Sequence, residues 1–404
     1  MRIGVHIPGA NKSSGGAYTF EYGILTSLLN YKDNKDLFIF SYSDDLRFKD
    51  TKINYIKLPR VNIIKEKWRI NKDLSKSKHY ISTLDKEVKK RQIDILWCAS
   101  QLFEPVDIPY IYTVWDLDHI IYPFFPEVSV DGEWENRERL YGNRIKRAAY
   151  IFTGTHTGKN EIVKFYNVIE SKIKVLPFPS PKYDFISEKK IGNIGNNYLF
   201  YPATYFPHKN HIRILETLLV LEKKYNLKLS AVFTGFNGGN KDYIISKCRE
   251  FNLADRVFMF DFVTTEELIY LYKNATALVF ASYFGPDNIP PLEAFSLKCP
   301  VIASKVDGTE EQLGKNALLV DPDDPEDFAS AVFKIISDKS FKEEMILNAY
   351  NFVNKWTFDG YTSKALSIIS DFSSKRSCWG YDYDRYYKKD SILKKAIRKL
   401  LKFN

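Results

Sequence analysis

Phe284-Gly285-Pro286-Asp287-Asn288-Ile289-Pro290-Pro291-Leu292-Glu293 follows the apolar run Ala277-Leu278-Val279-Phe280-Ala281 and carries the strongest local chemical signal in this chain. Two successive prolines fit the first turn of a helix, so that the unpaired N–H groups of that turn face the end of the preceding strand. Such a place suits anions and hydroxyls. Glu293, one turn in, is either an ordinary first-turn acid favoured by the helix dipole or a bidentate acceptor for vicinal hydroxyls such as a ribose diol. A second positive helix end is expected at Thr204-Tyr205-Phe206-Pro207-His208-Lys209-Asn210-His211, where Lys209 stands between a strand and a helix with Ile212, Leu215, Leu218 and Leu219 along one side. A lysine–phosphate contact there is charge-assisted and contributes ~1.5–3 kcal/mol; a solvated lysine is the plain alternative. His208 and His211 lie three apart with no third metal ligand near them, so capping or a hydrogen bond is the expectation for both. Gly15 and Gly16, in Asn11-Lys12-Ser13-Ser14-Gly15-Gly16-Ala17, either let backbone N–H groups approach an anion at a helix start or simply form a tight turn. Asp116 and Asp118 have the spacing of a divalent-cation motif, but a core or cleft-wall place is preferred for Asp118, and no metal is expected.

These residues need a scaffold that brings strand ends together. Short β-rich runs alternate with amphipathic helical stretches, the pattern of a parallel sheet flanked by helices. A first series of strands is expected at 2–7, 37–42, 94–98, 110–114, 150–153 and 173–176, with helices at 17–29, 133–148 and 157–165. After a polar stretch at 187–197, a second series follows at 198–201, 228–234, 256–260, 277–281, 300–303 and 318–320. Its helices are expected at 211–224, 241–251, 265–273 and 290–297. Two Rossmann-like halves follow, and ligands bind such sheets beyond the carboxyl ends of the strands.

With 404 residues, 45% of them apolar and 27% charged, the chain is long enough for two domains with full cores and is not a disordered sequence. Cys98, Cys248, Cys299 and Cys378 stand far apart, which suits a reducing compartment better than a disulfide framework. No apolar run reaches the ~18 residues of a membrane span, and a cytoplasmic location is expected. The net charge of +9 is concentrated at the end: residues 388–404 hold a surplus of six, leaving +3 for the rest. A nucleic-acid partner is therefore not expected.

In their order and spacing these segments resemble the retaining glycosyltransferases of the GT-B fold, in particular the large group called family 4, whose donor motif reads E-G-F-G-L-P-P-L-E. The likeness covers most of residues 1–372: Gly15-Gly16, Asp116-Leu117, Pro207-His208-Lys209-Asn210, Pro290-Pro291-Leu292-Glu293-Ala294, Gly308 to Glu311, and Leu318-Leu319-Val320-Asp321-Pro322. It implies an α/β protein of GT-B architecture, with two Rossmann-like domains facing a central cleft. Residues 1–186 would form the acceptor domain and 187–355 the nucleotide-sugar domain, with 356–373 a helix returning to the first. The resemblance implies that Lys209 neutralises the donor diphosphate, that Glu293 holds the ribose, that Gly15 and Gly16 form the phosphate-side loop, and that Phe262 and Val263 meet the base. Glu311 matches a recurring glutamate.

The sequence departs from that pattern in three places. Gly285 stands where the family has its first glutamate, Thr204 where it has an arginine, and Trp115-Asp116 where it has His-Asp, with His119 nearby as a substitute. Asp287 and Asn288 are the expected replacements toward the sugar hydroxyls, and His208 is expected to share the charge role of Lys209. Gly285-Pro286-Asp287-Asn288-Ile289-Pro290-Pro291-Leu292-Glu293 is similar to a subgroup with Gly-Pro-x-Asn-Ile-Pro-Pro-Leu-Glu.

Beyond the resemblance, Trp379 and four tyrosines precede a stretch in which Ile392, Leu393, Ala396, Ile397, Leu400 and Leu401 recur every four residues and Lys394, Lys395, Arg398, Lys399 and Lys402 fill the gaps. Residues 374–404 are thus expected to end in a basic amphipathic C-terminal helix lying on an anionic inner-membrane surface. The combined expectation is a retaining transferase moving a hexose, mannose favoured, from a nucleoside-diphosphate sugar to a polyprenol-linked saccharide in O-antigen or capsule assembly. Lys209 and the N–H groups from Gly285 to Ile289 would stabilise the departing diphosphate, while His119 or Asp116 would position the sugar. No cofactor is expected, and other glycan-synthesis enzymes are expected partners. A scaffold of the same fold without turnover, or a sugar-nucleotide epimerase, stays open because of Gly285 and Thr204.

Overall fold

The computed structural model describes residues 1–10, 15–31, 36–48, 51–59, 82–183, 186–192, 194–195 and 197–380. Ile392, Leu393, Lys394, Lys395, Ile397, Arg398, Leu400 and Leu401 lie outside the described residues, so the expected terminal helix does too.

Two parallel sheets form the frame. The first joins β1 (Ile3–His6), β2 (Leu37–Ser41), β3 (Asn54–Lys57), β4 (Ile95–Cys98), β5 (Tyr110–Thr113), β6 (Tyr150–Thr153) and β7 (Ile173–Val175) in the order β3-β2-β1-β4-β5-β6-β7. The second joins β8 (Tyr198–Pro202), β9 (Ser230–Thr234), β10 (Val257–Phe260), β11 (Ala277–Phe280), β12 (Val301–Ser304) and β13 (Leu318–Val320) in the order β10-β9-β8-β11-β12-β13. Both orders reverse beside their first strand, between β1 and β4 and between β8 and β11, and a crevice opens beyond the strand ends at each such switch. Central strands such as β4 and β11 are buried at every residue, because helices cover both faces of a parallel sheet and leave no side for alternating polar residues.

Elements absent from the sequence reading have visible causes. Strand β3 is a polar edge strand exposed at both ends, and the helix Thr83–Lys90 reads Thr-Leu-Asp-Lys-Glu-Val-Lys-Lys with only Leu84, Asp85 and Val88 buried. The helices Pro325–Ser337 and Lys339–Val353 do carry start signals, Asp324 and Asp338, whose side chains accept N–H groups of Glu326 and Phe341.

The chain crosses back at its end. Helix Phe358–Ser370 places Tyr361, Ala365, Leu366 and Ile369 in the apolar core of the first sheet, alongside Val5, Phe20 and Trp97. Gly23 makes room for this: a Cβ there would come within 2.3 Å of the Phe358 ring. At the crossing, the Trp356 indole N–H donates to the Pro177 carbonyl at 2.7 Å. The last described turn is pinned to the first lobe by Arg376, whose guanidinium meets Asp94 at 2.6 Å while its face lies over Trp379, which is itself exposed.

Candidate active site

Among the described residues, Gly15, Gly16, Asp116, Lys209, Gly285 and Glu293 all follow the carboxyl end of a strand and line the gap between the two sheets. Gly15 (φ 55°) opens the helix Gly16–Leu29 after β1, a conformation natural to glycine. The chain just after β1 is fixed by Glu21, whose buried carboxylate accepts the N–H groups of Gly9 (2.9 Å) and Ala10 (2.7 Å). A Cβ on Gly16 would lie 3.8 Å from Ile289, so this helix start abuts the start of the helix Ile289–Ser296 of the other lobe. Ile289 itself is buried in the core of the first lobe.

Lys209 ends the turn Pro207–Lys209 after β8, and Asn210 in the left-handed region (φ 53°) redirects the chain into helix His211–Tyr225. Its Nζ donates to Ser282 Oγ at 3.3 Å and lies 5.4 Å from the centre of the Phe280 ring. Burial draws its pKa below the usual lysine value, while Asp118, Asp116 and Glu127 oppose that shift. Burial likewise holds Asp118 well above the normal carboxylate range, with Asp116 pushing the same way and Lys209 against it.

Glu293 is buried, lines the cleft and accepts hydrogen bonds at both oxygens. Its Oε2 accepts from the Tyr272 hydroxyl at 2.7 Å, and its Oε1 from Tyr183 at 2.9 Å and, across the gap, from Thr19 at 3.5 Å. Burial raises its pKa and the three hydroxyls pull it back. Phe262, 55% exposed, and Val263 lie in the same wall.

The loop at Gly285 is organised by a residue the motif does not include. The Gln312 amide donates to Asp287 Oδ1 (2.5 Å) and to the Asn288 carbonyl (2.7 Å), and it accepts the Asn288 N–H (3.0 Å). That N–H is therefore bound within the protein, and Pro290 and Pro291 have none to offer. Asp287 also accepts the Phe178 N–H at 3.2 Å, and Asn288 donates to the Gly285 carbonyl at 2.5 Å, so both are fixed within the chain while still lining the gap. Gly285 adopts φ 114°, open to glycine but not to the family's glutamate without strain.

Two histidines sit otherwise than the sequence suggests. His119 lies in the four-residue helix Asp118–Ile121, is fully buried, and stacks on Tyr141 with its Nε2 2.9 Å from Glu138. It lines none of the cavities along the gap, whereas Asp116 does. His208 cannot share the charge of Lys209: burial and the neighbouring ammonium hold its pKa down at about 3. Its Nδ1 pairs with the Glu127 carboxylate of the first lobe, and its backbone N–H donates to the same oxygen at 3.0 Å. Burial raises the pKa of Glu127, but the bonds from His208 outweigh it and the net shift is downward. His211, three residues beyond His208, packs instead against Tyr201, Tyr205 and Phe233.

Three cavities run into one another along the gap. The largest, about 780 Å³, is lined by Gly15, Gly16, Thr19, Tyr183, Phe262, Val263 and Glu293. A middle one of about 210 Å³ shares Gly15, Gly16, Thr204 and Ile289 with it and adds Lys209. The third, about 240 Å³, shares Lys209, Asp116, Asp287 and Asn288 and adds Asp118, Glu127, Arg137, His208 and Gly285. Arg137, which no motif marks, projects from helix Glu133–Arg147 with its Nε 3.0 Å from Glu133 and its Nη1 4.0 Å from Asp116. Among the described residues, no three His, Cys, Asp or Glu side chains are grouped as a metal ion requires. Glu311 stands outside the cavities and caps helix His156–Tyr166 of the first lobe, accepting N–H groups of His156 (2.5 Å) and Thr157 (3.1 Å).

Paired Rossmann-like sheets with a continuous cleft between their strand ends define a GT-B fold. Residues 184–352, which include the whole second sheet, match the family Glycosyl transferases group 1. The chain is 32% identical over 218 residues to the O-antigen chain mannosyltransferase RfbU of Salmonella typhimurium, a stretch that is 53% of this chain and 58% of that protein. It thus spans little more than half the length of that relative. Among solved structures, sucrose-phosphate synthase from Thermosynechococcus elongatus superposes with a TM-score of 0.68 at 15% identity, covering 93% of this chain and all of that one. HepE of Anabaena in complex with UDP-glucose superposes with a TM-score of 0.64 at 14% identity over 92% of this chain and all of that one. At that identity the two structures speak for the fold. No helix among the described residues is long and apolar enough to cross a membrane.

Proposed function

We propose that this chain is a retaining glycosyltransferase that moves a hexose, mannose in first place, from a nucleoside-diphosphate sugar to a lipid-linked saccharide of a bacterial surface polysaccharide. The observation that carries it is the run of three connected cavities with Lys209 at the junction of the last two and Glu293 in the first. In this proposal the nucleoside occupies the largest cavity, with its ribose hydroxyls on Glu293 and its base against Phe262 and Val263. The diphosphate lies in the middle one between Lys209 and the N–H groups at Gly15 and Gly16. The hexose lies in the third. The match of residues 184–352 and the likeness to RfbU support the reaction class and the choice of mannose.

As the bond from sugar to diphosphate breaks, negative charge grows on the leaving phosphate. An ammonium already held in a half-dry cleft stabilises that charge without having to reorganise. Burial disfavours the Lys209 cation, and a diphosphate beside it would favour the charged form. The leaving phosphate oxygen takes the proton of the attacking hydroxyl on the same face, which gives retention without a protein nucleophile. The Trp379 end and the basic residues up to Lys402 would hold the enzyme against the anionic inner face of the membrane, where a polyprenol-linked acceptor lies.

The test is a donor screen with purified protein, membrane lipid extract and GDP-mannose, UDP-glucose or UDP-galactose, read as released nucleotide. Release from one donor that depends on the lipid extract is expected, with a loss of about a thousandfold in Lys209→Ala. Lipid-independent conversion of the donor would point to an epimerase instead, and no turnover with any donor would point to a scaffold. Flotation with phosphatidylglycerol vesicles, lost on removal of 381–404, tests the membrane contact.

A further inference from the structure

The pair Glu127–His208 is not explained by any motif, and among the described residues it is the one place where a carboxylate of one lobe fixes an imidazole of the other inside a cavity. Glu127 comes from the short helix Pro126–Ser129 of the first lobe, His208 from the loop after β8. Both side chains are nearly buried, 6% and 7% exposed. The His208 ring is stacked on Phe284 at 3.9 Å, has Phe206 on a parallel plane at 5.7 Å, and meets the edge of Phe125 at 6.1 Å. The pairing with Glu127 and the stacking on Phe284 orient the ring.

A neutral imidazole carries one hydrogen, and the partner of each nitrogen decides where it sits. An ionised Glu127 accepts at Nδ1, so Nδ1 carries the hydrogen and Nε2 is left with its lone pair. The cavity of about 240 Å³ that His208 lines also holds Lys209 and Arg137 as donors and Asp116 and Asp118 as acidic groups. A fixed lone pair beside two acidic side chains suits a group that donates a hydrogen bond. A phosphate, which only accepts at neutral pH, would be repelled by it. Hydroxyls on a compact ring, each able to give one hydrogen bond and take another, fit this mixture of donors and acceptors.

We infer that His208 Nε2 accepts a hydrogen bond from a hydroxyl of the transferred hexose, and that Glu127 is the positioning residue that keeps Nε2 in its accepting form. The inference rests on the proposed placement of the sugar in this cavity. It gives the cleft a hydroxyl contact from the loop after β8, beside the loop where Gly285 offers no side chain. It also makes sugar recognition depend on closure, because the two members of the pair belong to different lobes.

The experiment is isothermal titration of the full chain with GDP, GDP-mannose, UDP and UDP-glucose. Wild type, His208→Phe, Glu127→Leu and Glu127→Gln are compared. In Glu127→Gln the His208 backbone N–H still orients the amide oxygen toward the ring, so Nδ1–H keeps its acceptor. For the nucleotide that wild type binds, His208→Phe and Glu127→Leu should keep the affinity for the free diphosphate within about threefold. They should weaken the sugar nucleotide about tenfold or more, while Glu127→Gln restores it to near wild type. A tenfold loss is about 1.4 kcal/mol, in the range of one hydrogen bond. Equal loss for diphosphate and sugar nucleotide, or no loss for either, would overturn the inference and leave the glycosyltransferase reading intact. Absence of binding of all four by wild type would remove that reading, and this inference with it.

Discussion

The carboxylate of Asp287 rests on the bare Cα of Gly154, so closely that a Cβ at position 154 would stand 1.5 Å from Oδ2. Gly154 follows β6 in the first lobe, and Asp287 belongs to the loop after β11 in the second. The contact is possible only with the lobes together and only with glycine at that place. Gly154→Ala should therefore hold the cleft open. Small-angle scattering should show a larger radius of gyration, and sugar-transfer turnover should fall at least about tenfold. An unchanged radius with full turnover would show that the notch is not needed for closure.

Gln312 holds three points of the loop after β11 at once, at Asp287, the Asn288 carbonyl and the Asn288 N–H. Removing it leaves buried polar groups without partners, at about 1–3 kcal/mol each if no water replaces it. Gln312→Ala should weaken nucleotide binding about tenfold by titration, and Gln312→Glu should do worse, since it places a carboxylate against Asp287. Normal affinity in Gln312→Ala would mean that the loop keeps its shape without it.

Glu161 is pushed up to about 7 by burial, with Asp116 and Asp307 adding to the shift. A carboxyl whose pKa is higher folded than unfolded favours the fold least when ionised, so stability is lost as pH rises from 4.5 toward 7 and above. Glu161→Gln should melt at the same temperature as wild type near pH 4.5 and roughly 1–3 °C higher at pH 8. Equal melting temperatures at pH 8 would contradict this.

Burial holds His6, His208 and His211 at about 3, with Arg144 adding to the shift at His6 and Lys209 at the other two. Unfolding lets each of them take up a proton below pH 6.5, so folding stability falls as pH drops through that value, by at most about 1.4 kcal/mol per histidine per pH unit. Melting temperature should decline between pH 6.5 and 5, and less so in His211→Phe. A variant that declines as steeply as wild type would show that His211 is protonated in the fold.

Apart from the polar edge strand β3, the sheets were legible because their strands are short apolar runs bounded by polar turns, as at Ala277-Leu278-Val279-Phe280 and Ile95-Leu96-Trp97-Cys98. The cleft loops were legible because glycines, prolines and Lys209 mark strand ends. What the sequence hides is whatever only the meeting of two lobes creates. Glu127 and Arg137 look like solvated charges on short or polar helices, and nothing in Phe125-Pro126-Glu127 tells that its carboxylate meets His208, 81 residues on. His119 misled for the opposite reason: nearness to Asp116 along the chain does not decide which way a side chain in a four-residue helix turns.

The most direct measurement is the position of the diphosphate in a crystal of this protein grown with GDP or UDP. A β-phosphate oxygen within about 2.7–2.9 Å of Lys209 Nζ, with Gly15 and Gly16 facing it and the ribose on Glu293, is the predicted result. A diphosphate bound away from Lys209, or bridged by a cation to Asp116 and Asp118, would contradict it.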